Sequence, residues 1–140
     1  MTNPFQNLFQ DIGYRKNFLI ANNQQCPEDI IIQWRDFVQD IEDGYNCVPP
    51  EFDHDLNLVR ADIDFPLNSS DLQEFEDHKN FCSAIHDIDK KFLSLTNEIK
   101  FLPIEWNWWQ RRVLKKAGPE YADFINIHWT EKYGIRVEKI

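Results

Sequence analysis

The sequence predicts a mainly α (α+β) fold: about five helices with a small β element of two short strands, residues 58–65 and 135–140. Three observations predict it. Apolar residues recur at helical spacing in most segments. Prolines stand where helices would start and glycines where they would stop. One internal run and the tail alternate with period two. With 140 residues, 42% of them apolar and 14% aromatic, the chain has bulk for one core, and a single domain over residues 1–140 is expected.

Taken in order, residues 4–20 place Phe5, Leu8, Phe9 and Ile12 at helical spacing, with Gly13 set to end or bend the segment. In CPEDIIIQWRDFVQDIEDG, residues 26–44, Pro27 suits a first turn and Gly44 a stop, while Glu28 and Asp29 complement the positive end of a helix dipole. Ile30, Ile31, Trp34, Phe37, Val38 and Ile41 form its apolar stripe; Gln33, Asp36, Gln39, Asp40 and Asp43 form a polar, acidic one. Residues 45–57 contain Pro49-Pro50 and read as an irregular connection, a natural place for a functional loop. In LVRADIDF, Val59, Ala61, Ile63 and Phe65 alternate with Arg60, Asp62 and Asp64, which is strand patterning.

From a Ser70 N-cap, Phe81, Ile85, Ile88, Phe92, Leu95 and Ile99 step by fours and threes, implying a helix of up to about 30 residues with a break near Asn80. Beyond Pro103, a helix from Ile104 to Ala117 is predicted to bury Trp106, Trp109 and Val113 and to leave Trp108 at the boundary. Pro119 opens another, which stops at Gly134. The tail GIRVEKI alternates Ile135 and Val137 with Arg136 and Glu138, and is expected to pair with residues 58–65.

Charge narrows the function classes. The net charge is −9, and residues 28–77 hold fifteen acids against two bases, whereas residues 100–140 are net basic. Such a negative field repels phosphate backbones and anionic lipid and attracts basic protein surfaces, so nucleic acid and membrane are not expected partners. Three cysteines, Cys26, Cys47 and Cys82, without a CxxC pair fit neither a disulfide framework nor a zinc knuckle. No apolar stretch approaches the roughly 18 residues of a membrane span, and the N-terminus lacks a charged region followed by an apolar run. A cytoplasmic location is expected.

Motifs for catalysis are missing: there is no HEXXH, GXSXG, phosphate-binding loop, dinucleotide fingerprint or EF-hand loop. Glu74, His78, Cys82 and His86 recur every four residues and raise a metal-dependent hydrolase, with Asp53, His54 and Asp55 completing the shell. His78 and His86 lie about 12 Å apart along a straight helix, so one ion reaches two of the set at most, and packed or solvated side chains are preferred; no cofactor or metal is expected. Likewise EWNWWQRR, residues 105–112, is read first as packing, although Trp and Arg are also the types enriched at binding hot spots.

The expectation is a small acidic binding protein that covers a basic partner, such as a toxin nuclease domain. Its profile of small size, acidity and absent catalytic motifs resembles that of bacterial immunity proteins and antitoxins. A phage or mobile-element inhibitor that mimics DNA charge shares the same physics. The expected surface comprises Asp36, Asp40 and Asp43 on the second helix, Asp53 and Asp55 on the loop, Asp62 and Asp64 on the strand, and the aromatic neighbours Trp34, Tyr45, Phe52 and Trp108. The state in solution is expected to be a monomer or weak dimer. A third possibility is an oligomeric subunit that pairs through the seam from Phe81 to Ile99.

Overall fold

A computed structural model describes residues 3–16 and 26–140, with the side chains of residues 13–16 left aside. The fold is mainly helical with two small sheets of two strands each, an α+β arrangement. Helices α1 (Pro4–Lys16), α2 (Pro27–Gly44), α3 (Pro49–Arg60), α4 (Asp64–Asn68) and α5 (Glu76–Ser94) come first. Strands β1 (Thr96–Glu98), β2 (Arg112–Leu114) and β3 (Lys116–Ala117), helices α6 (Pro119–His128) and α7 (Thr130–Tyr133), and strand β4 (Glu138–Lys139) follow. No helix among the described residues is long and apolar enough to cross a membrane.

Local chemistry explains the starts and stops. Asn3 caps α1 by accepting the Phe5 and Gln6 backbone N–H groups at 2.9 and 3.3 Å, ahead of Pro4 in the first turn. The helix then runs through Gly13 to Lys16, so that glycine neither ends nor bends it; residues 17–20 of the expected segment lie outside the described residues. For α2 the Pro27 start and Gly44 stop are as predicted, and Gly44, at φ 114°, adopts a conformation that a Cβ would strain.

The described residues form two compact units. The first draws on the described residues within Met1–Phe37 and on Asn57–Asp89. Its core includes Phe5, Phe9, Ile30, Trp34, Ile63, Leu72, Phe81 and Ile85, with Phe9 edge-on to Phe81 at 5.3 Å. The second draws on Val38–Leu56 and Lys90–Ile140 and carries both sheets. β1 and β2 pair antiparallel, with Asn97 opposite Val113, and β3 and β4 pair parallel, with Lys116 opposite Glu138. Phe52, Tyr121, Trp109, Leu114 and Ile125 are among its buried side chains.

Five segments depart from expectation. Residues 58–65 are helical through the end of α3, a 3-10 turn (Ala61–Ile63) and α4. The period-two pattern depended on sending Arg60 outward with Asp62 and Asp64. Arg60 instead faces inward, 2% exposed, so the buried positions are Phe52, Leu56, Arg60 and Ile63, spaced four, four and three as in a helix. Residues 49–57, expected as loop, therefore belong to α3, with Pro49 in its first turn. The strand partner of the tail is β3 rather than residues 58–65. Asn126 holds the tail by donating to the Val137 carbonyl oxygen at 2.9 Å and accepting its N–H at 2.8 Å.

Residues 104–117 form no long helix. Asn107 and Gln110 close a capping box around a 3-10 turn (Trp108–Arg111), after which β2 extends along β1. Arg112 secures that pairing through hydrogen bonds to the Thr96 hydroxyl and carbonyl oxygens, both 2.9 Å. Trp109 and Val113 are buried as expected, but Trp106 is 48% exposed. The long helix is shorter than predicted, Glu76–Ser94, and passes Asn80 unbroken. Its Phe81, Ile85, Ile88 and Phe92 are buried within the chain, so the seam is no free face for pairing with a copy.

Candidate functional site

Asp36, Asp40 and Asp43 recur at i, i+4 and i+7 on α2 and are all exposed, while Ile30, Trp34, Val38 and Ile41 on the same helix are 3% exposed or less. The apolar side anchors the helix, which fixes where the carboxylates stand. None of the three takes part in an ion pair among the described residues. Asp43 accepts a hydrogen bond from Gln39 Nε2 at 3.0 Å, and the neighbouring Glu42 pairs with Lys91 at 2.9 Å.

Helix α3 adds further carboxylates. Residues 38–56 carry six acids, Asp40, Glu42, Asp43, Glu51, Asp53 and Asp55, and no Lys or Arg. Tyr45 donates its hydroxyl to Asp55 Oδ2 at 3.3 Å and meets Phe52 edge-on at 5.1 Å, so these three predicted residues do come together. Burial, with the Asp55 charge beside it, pushes the Tyr45 phenol upward. Asp53 remains exposed as a side chain, yet desolvation of its carboxyl raises its pKa to about 6.

Other predicted residues occupy different places. The Trp34 and Phe52 rings are wholly buried and present no face to a partner, which corrects their assignment as surface aromatics. Trp34 Nε1 instead donates to Asp89 Oδ1 at 2.9 Å. Arg60 pairs with the same carboxylate through Nε and Nη2, both at 3.1 Å, and reaches Asp64 through Nη1. Asp64 is thus a partner of a buried arginine rather than an open charge, and Asp62 lies on the 3-10 turn, not on a strand. Trp108 is 37% exposed and edge-on to Phe92 at 6.0 Å.

His78 is buried and donates its Nε2 proton to the Pro66 carbonyl oxygen at 2.8 Å, leaving Nδ1 3.6 Å from the Cys82 sulfur. Burial pushes the Cys82 thiol up, away from the thiolate a metal or a nucleophilic role would need. His86 is exposed, and among the described residues no three His, Cys, Asp or Glu side chains gather as a metal shell.

No family model, curated protein or solved structure matches the chain.

Sequence reasoning missed two groupings. The Trp34–Arg60–Asp89 site was hidden because a lone arginine between apolar residues reads as outward-facing. The second is a half-open aromatic cluster in the second unit: Phe101 stacks on Tyr133 at 3.9 Å and 17°, with Trp129 edge-on to Phe101 at 5.5 Å. Trp129 and Tyr133 are neighbours at helical spacing, but Phe101 lies about 30 residues before them, so no local pattern could have joined all three.

Proposed function

We propose that this protein is a small acidic binding protein that neutralises a basic partner protein by covering it, as an immunity protein or antitoxin covers a nuclease toxin. The observation that carries the proposal is the row Asp36, Asp40 and Asp43: exposed, in no ion pair among the described residues, and held on a helix whose other side is buried. Carboxylates already in position lose little conformational freedom on binding, and their field accelerates encounter with a cationic surface. The segment 38–56, without Lys or Arg, extends the same charge through α2 and α3. Tyr45, half-buried beside Asp55, is the aromatic placed to make a contact that slows release.

The test is retention of basic proteins by the tagged protein at low salt, followed by salt-gradient elution and mass spectrometry. A single stoichiometric basic protein is expected, and its retention should be lost when Asp36, Asp40 and Asp43 are all replaced by Lys. Retention that survives the triple reversal, or the absence of any specific protein, would contradict the proposal.

A further inference from the structure

Antiparallel neighbours are usually joined by about 2–5 residues, but β1 and β2 in the second unit are joined by residues 99–111. A connection of that length inside a compact fold is commonly a binding loop. This one is held from both sides. The Ile99 N–H donates to the Arg111 carbonyl oxygen at 2.7 Å and closes its root. Phe101 stacks on Tyr133, Trp108 meets Phe92 edge-on, and Asn107 and Gln110 cap each other across the 3-10 turn. Between these holds, residues 103–107 form a tip in which every residue is exposed, Ile104 by 75% and Trp106 by 48%. The Trp106 N–H donates to the Pro103 carbonyl oxygen at 3.1 Å, so the tip keeps a turn of its own. Glu105 is the single charged residue of the tip and takes part in no ion pair among the described residues. The bases of the connection stand at its root, where Lys100 follows the closing hydrogen bond and Arg111 pairs with Glu98 at 2.9 Å.

We infer that this tip anchors the protein on its basic partner: Ile104 and Trp106 enter an apolar pocket there, and Glu105 meets a lysine or arginine at the pocket's mouth. The inference rests on the partner reading above for the identity of the occupant. Two large apolar side chains kept in water on an ordered loop are surface that a partner gains by covering, and tryptophan seated in a pocket is a type that dominates binding energy. Because the loop is already held, little freedom is lost when it docks. The carboxylate between the two apolar residues selects the class of occupant. Against an anionic lipid surface or a phosphate backbone it would face like charge at the point of closest approach, whereas against a basic protein it completes the contact. The acids of segment 38–56 belong to the same unit as the tip. They would speed encounter, and the tip would slow release.

The test uses the basic protein retained at low salt, purified and titrated against parent and variants of the full chain. Burial of Trp106 should move the tryptophan emission of the parent to shorter wavelength, and Trp106→Phe should lack that shift. Ile104→Asp combined with Trp106→Ala should weaken binding about thirtyfold, and Glu105→Lys about tenfold. Unfolding midpoints should barely move, because these side chains are exposed. The same emission shift produced by vesicles of phosphatidylcholine and phosphatidylglycerol, or by a single-stranded oligothymidylate, would overturn the inference in favour of lipid or nucleic acid. Self-association of the protein alone that the tip variants abolish would overturn it in favour of a second copy. Binding undiminished in the tip variants but lost on reversal of Asp36, Asp40 and Asp43 would remove the tip and leave the partner reading. Binding lost in the tip variants but kept by that reversal would remove the acidic row and leave the tip. A parent that retains no basic protein would overturn both.

Discussion

In the first unit Asp89 is buried and takes hydrogen bonds from Trp34 and Arg60, whereas along the outer side of α2 Asp36, Asp40 and Asp43 are exposed and without an ion pair among the described residues. The two regions use one residue type in opposite ways. At the Arg60 site, Nε and Nη2 of the guanidinium span both Asp89 oxygens and Nη1 reaches Asp64, so its charge is answered on two sides and its ring-like plane lies 5.9 Å from the Trp34 ring. Such a site adds little stability over a well-packed apolar one, but it is costly to half-dismantle, because a buried charge is left without its partner. On α2 the carboxylates remain hydrated and contribute a field rather than a contact. Where a chain carries 24 acids, the useful distinction is between those the fold has already engaged and those it leaves open.

Arg60→Met should break the first half of this comparison and have the largest effect. It strands Asp89, and unfolding in urea should show a loss of about 3–5 kcal/mol. Adding Asp89→Leu to it should recover part of that loss, since the orphaned charge goes too; no recovery would mean that Arg60 acts by packing alone.

Gly118→Ala comes next. A Cβ there would lie 2.5 Å from the Asn46 side chain, whose Oδ1 accepts the Glu120 backbone N–H at 2.8 Å and so caps α6 from a distant part of the sequence. Displacing that cap should cost about 1–2 kcal/mol, read as a lower thermal midpoint. An unchanged midpoint would show that Asn46 moves aside freely.

Asp53→Asn sharpens the second half. Its carboxyl is raised to about 6 in the folded protein, above the ordinary value of 3.8, so folding favours the protonated form. The ionised group is therefore destabilising above pH 6, and the penalty fades as pH falls from about 6 towards 4. The variant should be more stable than the parent at pH 7 by about 1 kcal/mol or less, given the exposed side chain, and no different near pH 4. Equal stabilisation at both pH values would mean the carboxyl is not the cause.

The smallest effect on folding is expected from reversing Asp36, Asp40 and Asp43 to Lys, because the side chains are exposed and take part in no ion pair among the described residues. The unfolding midpoint should barely move.

How legible this was depended on whether a segment's chemistry was local. In α2, proline, first-turn acids, an apolar stripe and a terminal glycine all point the same way, and both ends were predicted to the residue. Residues 58–65 misled because Arg60 is buried by partners at positions 64 and 89, the second of them remote in sequence. Residues 104–117 misled because strand pairing with Thr96–Glu98, a tertiary matter, overrides the helical spacing of Trp106, Trp109 and Val113. For the candidate surface, the acidic row on α2 was readable from its spacing. The burial of Trp34 was readable from its place in the apolar stripe, even though the ring had also been assigned to the surface. The engagement of Asp64 was not: its partner Arg60 is only four residues away, but Arg60 is drawn inward by Asp89, which is remote in sequence.

The most direct test of the central claim is the association rate with the retained basic protein, measured against ionic strength for the parent and the Asp36, Asp40 and Asp43 reversal. The acidic row predicts a rate for the parent that falls steeply with salt, and a slower, nearly salt-independent rate for the variant, with both proteins folded. Equal rates and equal salt dependence in the two would contradict it.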